Sequence, residues 1–279
     1  MADQLRCILV GLTGEEGFTT SPALDFAIAL AGRESACLTV CAIPPPVYLP
    51  IARRGGSAAT VMEAELRHLE IQTLATARAA AKRICEAGVD CISEQSFSMV
   101  EHRTGHLVRA ARVNDVCVLD ASNGDSAQRT AIEDVLFDSG RPVLVVPRQG
   151  GSATPRRVAI AWDGSARSAR AVDDAISFLR NADAVFVVTV TGEKDLSRMA
   201  PGADLAGYLA RHGVPEARLE MLSAADGDVS ERLREFIADE RIEMLVMGAF
   251  VHSRFRQAIL GGVTRSLLDE APVPIFMAH

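Results

Sequence analysis

Two stretches of this chain repeat each other at a separation of 148 residues. Leu24-Asp25-Phe26-Ala27-Ile28 answers to Val172-Asp173-Asp174-Ala175-Ile176, and Ala36-Cys37-Leu38-Thr39-Val40 answers to Ala184-Val185-Phe186-Val187-Val188. Further on, Ala87-Gly88-Val89 matches His212-Gly213-Val214, Asp115–Leu119 matches Glu243–Met247, and Arg141–Val145 matches Val273–Met277. A repeat of this length means that one structural unit has been used twice. The reading that follows is an N-terminal domain over residues 1–149 and a C-terminal domain over 154–279. The Gly/Ser-containing stretch Arg148-Gln-Gly-Gly-Ser-Ala-Thr-Pro155 links them. A length of 279 residues suits two such units, since domains usually run to about 100–200 residues.

Within each unit, short apolar runs alternate with longer helical patterns. In the first, Cys7–Gly11, Ala36–Ile43, Val116–Leu119 and Pro142–Pro147 read as buried strands, with a weaker one over Asp90–Phe97. Helices are expected over Pro22–Ala31, Val61–Ala87 and Thr104–Arg112. In the second, strands are expected over Arg157–Trp162, Ala184–Val190, Ala217–Leu222, Met244–Gly248 and Pro274–Ala278. Its helices are expected over Ala166–Leu179, Asp204–Arg211, Asp228–Asp239 and Val263–Leu268. This order calls for an α/β fold: two tandem Rossmann-like or flavodoxin-like domains, each a five-stranded parallel sheet core with helices on both faces.

Composition narrows the function classes. Net charge is −7, and it divides evenly, so neither half is a basic arm for nucleic acid or anionic membrane. No apolar run reaches the roughly 18–20 residues of a membrane span. The start Met-Ala-Asp-Gln-Leu-Arg lacks the features of a secretory signal, so a cytoplasmic location is expected. The six cysteines all lie in the first half without a C-x-x-C pair, which argues against a disulfide framework. Cys37 and Cys41 read as small buried hydrophobes.

Several chemistries drop out by motif. The only lysines, Lys82 and Lys194, follow Ala81 and Glu193, so no Walker P-loop exists. Neither G-x-S-x-G nor a G-x-G-x-x-G after either first strand is present. His102 and His106 have helical spacing but no clear third metal ligand, and they read as solvated or capping side chains. The loop Ile43–Pro50 with Arg53–Ser57 reads as a long surface connection, with a lid as the alternative.

Open parallel sheets bind ligands outside the carboxyl ends of their strands. In the second half those ends are Trp162-Asp163-Gly164-Ser165, Thr189-Val190 and Met247-Gly248. Gly261-Gly262 then opens a helix whose free N–H groups suit a phosphate. Thr264 offers a hydroxyl and Asp163 an acceptor for ribose or adenine. Trp162 reads either as core or as a wall of an adenine pocket. His252, Arg254 and Arg256 form a cationic group beside the glycines, read equally as an anion site or as a solvated loop.

On these residues the chain resembles a tandem universal stress protein over nearly all of its length. The ATP-binding branch of that family carries G-x2-G-x9-G-[S/T]. Here Gly248 and Gly261 match the first and third glycines. Val251 replaces the second glycine and Gly262 replaces the Ser/Thr. Valine adds a Cβ and disfavours positive φ, which either blocks a triphosphate or reshapes the loop. The resemblance implies an adenine nucleotide (ATP, ADP or AMP, with Mg²⁺ accompanying ATP) in the C-terminal domain. Its contacts would come from Trp162, Asp163, Val190, Met247, Gly248, His252, Arg254, Gly261, Gly262, Val263 and Thr264. It also implies an intramolecular pseudo-dimer through the last strand of each half, and it leaves room for a homodimer. The function implied is a stress-response regulator with no named catalytic base. The rival is a scaffold that binds a protein partner or another small ligand.

The first half departs further. Asp120-Ala-Ser-Asn-Gly124-Asp125 replaces the glycine series and brings negative charge where phosphates would sit. Gly11-Leu12-Thr13-Gly14 replaces the acidic strand end. No nucleotide is expected in this half.

Overall fold

The computed structural model describes residues 4–46, 58–94, 103–191, 202–224, 228–249 and 261–279. The first half runs β1 (Cys7–Thr13), α1 (Pro22–Glu34), β2 (Cys37–Ile43), α2 (Ala58–Glu86), β3 (Cys91–Glu94), α3 (Gly105–Ala111), β4 (Val116–Asp120), α4 (Ser126–Asp138) and β5 (Val143–Val146). The second runs β6 (Arg157–Ala161), α5 (Ala166–Asp174), α6 (Ile176–Arg180), β7 (Ala184–Thr191), α7 (Ala203–Arg211), β8 (Ala217–Ser223), α8 (Val229–Asp239), β9 (Met244–Gly248), α9 (Gly262–Asp269) and β10 (Ile275–Ala278). The expected segments Ile43–Ser57 and Asp90–Phe97 extend into residues outside those described.

The ten strands among the described residues lie in one sheet, in the order β3-β2-β1-β4-β5-β10-β9-β6-β7-β8. Within each half the pairings are parallel. Each half is therefore a Rossmann-like unit. The halves meet through one antiparallel ladder, in which Ile275, Phe276 and Met277 face Val145, Leu144 and Val143.

Strand alternation sorts the apolar side chains into two layers. Ile8, Val10, Leu38, Val40, Val118, Val158, Val185 and Phe276 share one face with α1 and α5. Leu9, Cys41, Cys117, Val143, Phe186, Leu245 and Met277 share the other with α3, α4, α8 and α9. Both layers run unbroken across the two halves, so the β5–β10 seam is core on both sides. On the first face, the rings of Phe178 and Phe276 lie 5.8 Å apart. The Arg33 guanidinium sits 4.8 Å over Phe178 and donates to the Ala153 carbonyl. On the other, Arg129 from α4 reaches Asp269 of α9 at 2.7 Å, and Ser122 lies 2.9 Å from the same carboxylate oxygen.

Local signals explain most helix limits. Ser21 accepts from Leu24 N–H and Pro22 occupies the first turn of α1. Ser35 ends that helix in the left-handed region at φ 51°. The single helix expected over Ala166–Leu179 is two. At Ala175 (φ −90°, ψ 3°) the ladder tightens, and Phe178 N–H bonds Ala175 O three residues back. Helix α4 has no counterpart among the helices expected from sequence. Asp125 is its N-cap, accepting from Ala127 N–H at 2.8 Å, and its buried face is Ala131, Ile132, Val135 and Leu136.

Candidate functional site

Each half has a switch point where the strand order reverses. In the second half it lies between β6 and β9, because β6 leads to β7 on one side while β9 lies on the other. Register places Ala161 beside both Met247 and Val188. Trp162 and Asp163 follow β6, Met247 and Gly248 end β9, and Val190 lies near the end of β7. The structure thus brings the predicted strand-end residues to one edge. Met247 is 6% exposed and belongs to the core. Trp162 is half-buried against the first apolar layer, and its N–H donates to Val188 O.

Asp163 caps the turn into α5. Its Oδ1 accepts from Ser165 N–H at 3.0 Å, and Ser165 Oγ accepts from Ser168 N–H at 3.2 Å. Helix α5 then presses against the end of β9. A Cβ on Gly248 would lie 2.5 Å from Ser168 N and 2.7 Å from the Arg167 carbonyl carbon. Glycine at 248 is thus required by helix packing. This role was not separable from ligand approach in the sequence.

That packing brings forward a residue the sequence reading missed. Arg167 is half-buried in the first turn of α5, against Gly248. Burial of His279, and after it the Arg167 charge, hold the His279 imidazole below its ordinary pKa. Arg167 therefore places positive charge across the ends of β9 and β10. The signal lay in Asp163-Gly-Ser-Ala-Arg167, a strand-to-helix turn with a basic residue on the first helical turn.

Helix α9 starts with Gly261 in the cap position, extended at φ −63° and ψ 157°, and bringing no side chain to cap the helix. Gly262 is exposed, and among the described residues an added Cβ there would meet nothing within 4 Å. Val263 packs against the second apolar layer, and Thr264 is fully buried. Val251, His252, Arg254 and Arg256 lie outside the described residues, as does His102. Among the described residues no group of three or more His, Cys, Asp or Glu could hold a metal ion. His106 shares a 3.1 Å contact with Arg109.

The first half is built differently at the same place. Ile8 and Val158 pair with Val116 and Met244, so Thr13 stands where Asp163 stands and Asp120 where Gly248 stands. The acid has changed sides of the crevice. Asp120 accepts from Ala23 N–H at 2.8 Å, at the start of α1, so this helix end already holds an anion. Burial pushes the Asp120 carboxyl above its ordinary pKa, opposed by the Ala23 and Ser21 hydrogen bonds. Gln128 spans the gap, donating to Asp120 O at 2.7 Å and accepting from Thr13 Oγ1 at 3.3 Å. A cavity of about 480 Å³ remains, with Phe18, Glu15, Asn123 and Arg148 among its lining.

Comparison with known proteins adds family context. Residues 154–279 match the model of the universal stress protein family. A universal stress protein of Synechocystis is 25% identical over 230 residues, covering 76% of this chain and 73% of its own. A universal stress protein from Archaeoglobus fulgidus shares the fold with a TM-score of 0.69 at 16% identity, over 99% of this chain and 97% of that one. A functionally unknown Pseudomonas aeruginosa protein gives 0.61 at 13% identity, over 99% and 93%. No helix among the described residues is long and apolar enough to cross a membrane.

Proposed function

We infer that this chain, whose residues 154–279 match the universal stress protein family, is a stress-response regulator that binds one adenine nucleotide at the β6/β9 switch point. The observation that carries this reading is the start of α9. A glycine cap, an exposed Gly262 and open space beside it leave backbone N–H groups for a phosphate. Arg167 supplies a cation at the same edge, where Trp162 and Asp163 follow β6. Because Thr264 is fully buried, the phosphate contacts assigned here are to the backbone around Gly262 and Val263, and not to its hydroxyl.

The first half is assigned no nucleotide. Its own carboxylate, Asp120, occupies the helix end that an anion would need. It serves as the pairing partner that completes the ten-stranded sheet.

The test is a titration of the full chain with ATP, ADP and AMP, followed by heat of binding and by melting temperature. Ligand that binds only the folded state raises stability by RT ln(1 + [L]/Kd). Binding of one nucleotide per chain, weakened in Arg167→Ala, is expected. Unchanged melting at millimolar nucleotide would reject the reading and leave the scaffold alternative. A stoichiometry near two would reject the assignment of the first half.

A further inference from the structure

The amino ends of the first half's strands lie opposite the switch-point crevice and carry a group of thiols. Four of the six cysteines collect there. Cys7 and Cys37 are register partners at the starts of β1 and β2. Cys91 opens β3, beside Leu38, and Cys85 sits in the last turn of α2. After burial, the neighbouring Cys85 thiol is the chief group raising the Cys91 pKa, which places the two side chains close together. Cys85 is exposed, while Cys91 is half-buried against the first apolar layer. The connection between them turns tightly, with Gly88 N–H bonding Cys85 O at 3.0 Å and Val89 N–H bonding Ile84 O at 3.3 Å.

We propose that Cys85 and Cys91 are a peroxide-responsive thiol pair that closes to a reversible disulfide, tying the end of α2 to the edge strand β3. The exposed thiol meets the oxidant and the half-buried one resolves it. In the first step the Cys85 sulfur attacks one peroxide oxygen. The S–O bond forms as the O–O bond breaks, and water leaves with the thiol proton. In the second, the Cys91 sulfur attacks the Cys85 sulfenic acid. The S–S bond forms as the S–O bond breaks, and a second water carries away the Cys91 proton. The two thiols lose two electrons and the peroxide gains them.

Placement favours this pair over Cys7 and Cys37. A disulfide needs its sulfurs about 2.05 Å apart. Cys85 ends a helix, where the last turn frays, so it can close that gap by a rotamer change. Cys7 and Cys37 are held in the β1–β2 ladder. Burial, with help from neighbouring thiols, pushes Cys91 up to about 11. Half-burial keeps peroxide from Cys91, so the exposed Cys85 is oxidised first.

The experiment uses the full reduced chain, treated briefly with hydrogen peroxide, alkylated and digested with trypsin. Cleavage after Arg83 and Arg103 releases residues 84–103, which hold Cys85, Cys91 and no other cysteine. The expected product is an unalkylated peptide lighter by two hydrogens, restored to the doubly alkylated form by dithiothreitol. Cys85→Ser removes an exposed side chain, and after the same peroxide its Cys91 should stay fully alkylated. The proposal is overturned by double alkylation in the wild type. It is equally overturned by Cys85 sulfinic acid beside alkylated Cys91, by a bridge to Cys7 or Cys37, or by equal loss of Cys91 alkylation in Cys85→Ser and wild type. None of these outcomes bears on nucleotide binding, so the two proposals fail separately.

Discussion

Gly248→Ala separates packing from ligand binding most sharply. The new methyl would lie 2.5 Å from Ser168 N and 2.7 Å from the Arg167 carbonyl carbon. Both are backbone atoms, so no rotamer change relieves the contact. Either α5 or the end of β9 must move, and overpacking of this kind costs about 1–3 kcal/mol. For a chain of this size, each kcal/mol lowers Tm by roughly 2–4 °C, so a fall of about 2–12 °C is expected. Gly262→Ala is the matched control. Among the described residues its methyl meets nothing within 4 Å, and it lies in the first turn of α9. Its stability should stay within about 0.5 kcal/mol of wild type, or rise slightly, because alanine is the better helix former. Scanning calorimetry and urea unfolding of the two variants side by side give the comparison. Equal Tm for Gly248→Ala and wild type would refute the close approach of α5 to β9, and with it the packing account of that glycine. A loss of several degrees in Gly262→Ala would refute the open space at the start of α9.

Two further outcomes follow from particular contacts. Asp269→Ala removes the 2.7 Å partner of Arg129 and the acceptor beside Ser122 at the seam between the halves. The partly buried guanidinium loses its carboxylate, and a cost of about 1.5–3 kcal/mol in urea unfolding is expected. No change would mean the seam rests on the apolar layers alone. Ser165→Ala deletes the cap of α5, which accepts from Ser168 N–H at 3.2 Å, at a cost of about 1 kcal/mol. Thermal unfolding checks it, and a variant as stable as wild type contradicts the capping role.

Asp120 makes a prediction about pH. Its folded pKa is raised above 3.8, so the folded state holds this proton more tightly than the unfolded chain. Its contribution therefore favours the fold at low pH, and is lost as pH rises from 3.8 through the raised value. The wild-type minus Asp120→Asn difference in Tm should fall across that window and flatten above it. A difference that rises with pH would refute burial as the dominant cause.

Much of the architecture was legible because buried parallel strands read as continuous apolar runs. Val116–Asp120, Met244–Gly248 and Ala184–Thr191 were found nearly to the residue on that basis. Helix α4 escaped, although Asp125 followed by Ala131, Ile132, Val135 and Leu136 carried its cap and its buried face. Asp125 stands opposite the glycine-rich stretch of the other half, where its charge and its capping role are not separable from sequence alone. The candidate site was legible in its strand ends, since the duplicated pattern shows where each strand stops. Arg167 was not, because its place depends on how closely α5 settles on Gly248. The contact between Cys85 and Cys91 was likewise hidden, since spacing does not show that a helix end and a strand start turn their thiols toward each other.

The sequence by itself determined two α/β units in tandem and the edge at which a ligand would sit. Those follow from local burial periodicity and from repetition, and neither needs a distant partner. The tertiary structure decided that β5 and β10 join the units into one sheet with two continuous apolar layers. It also decided that the acid of the first crevice comes from the β4 side, on the helix start of α1, while that of the second comes from the β6 side. Register, crossing and helix approach are contacts between residues far apart in the chain, and only the folded arrangement selects among them.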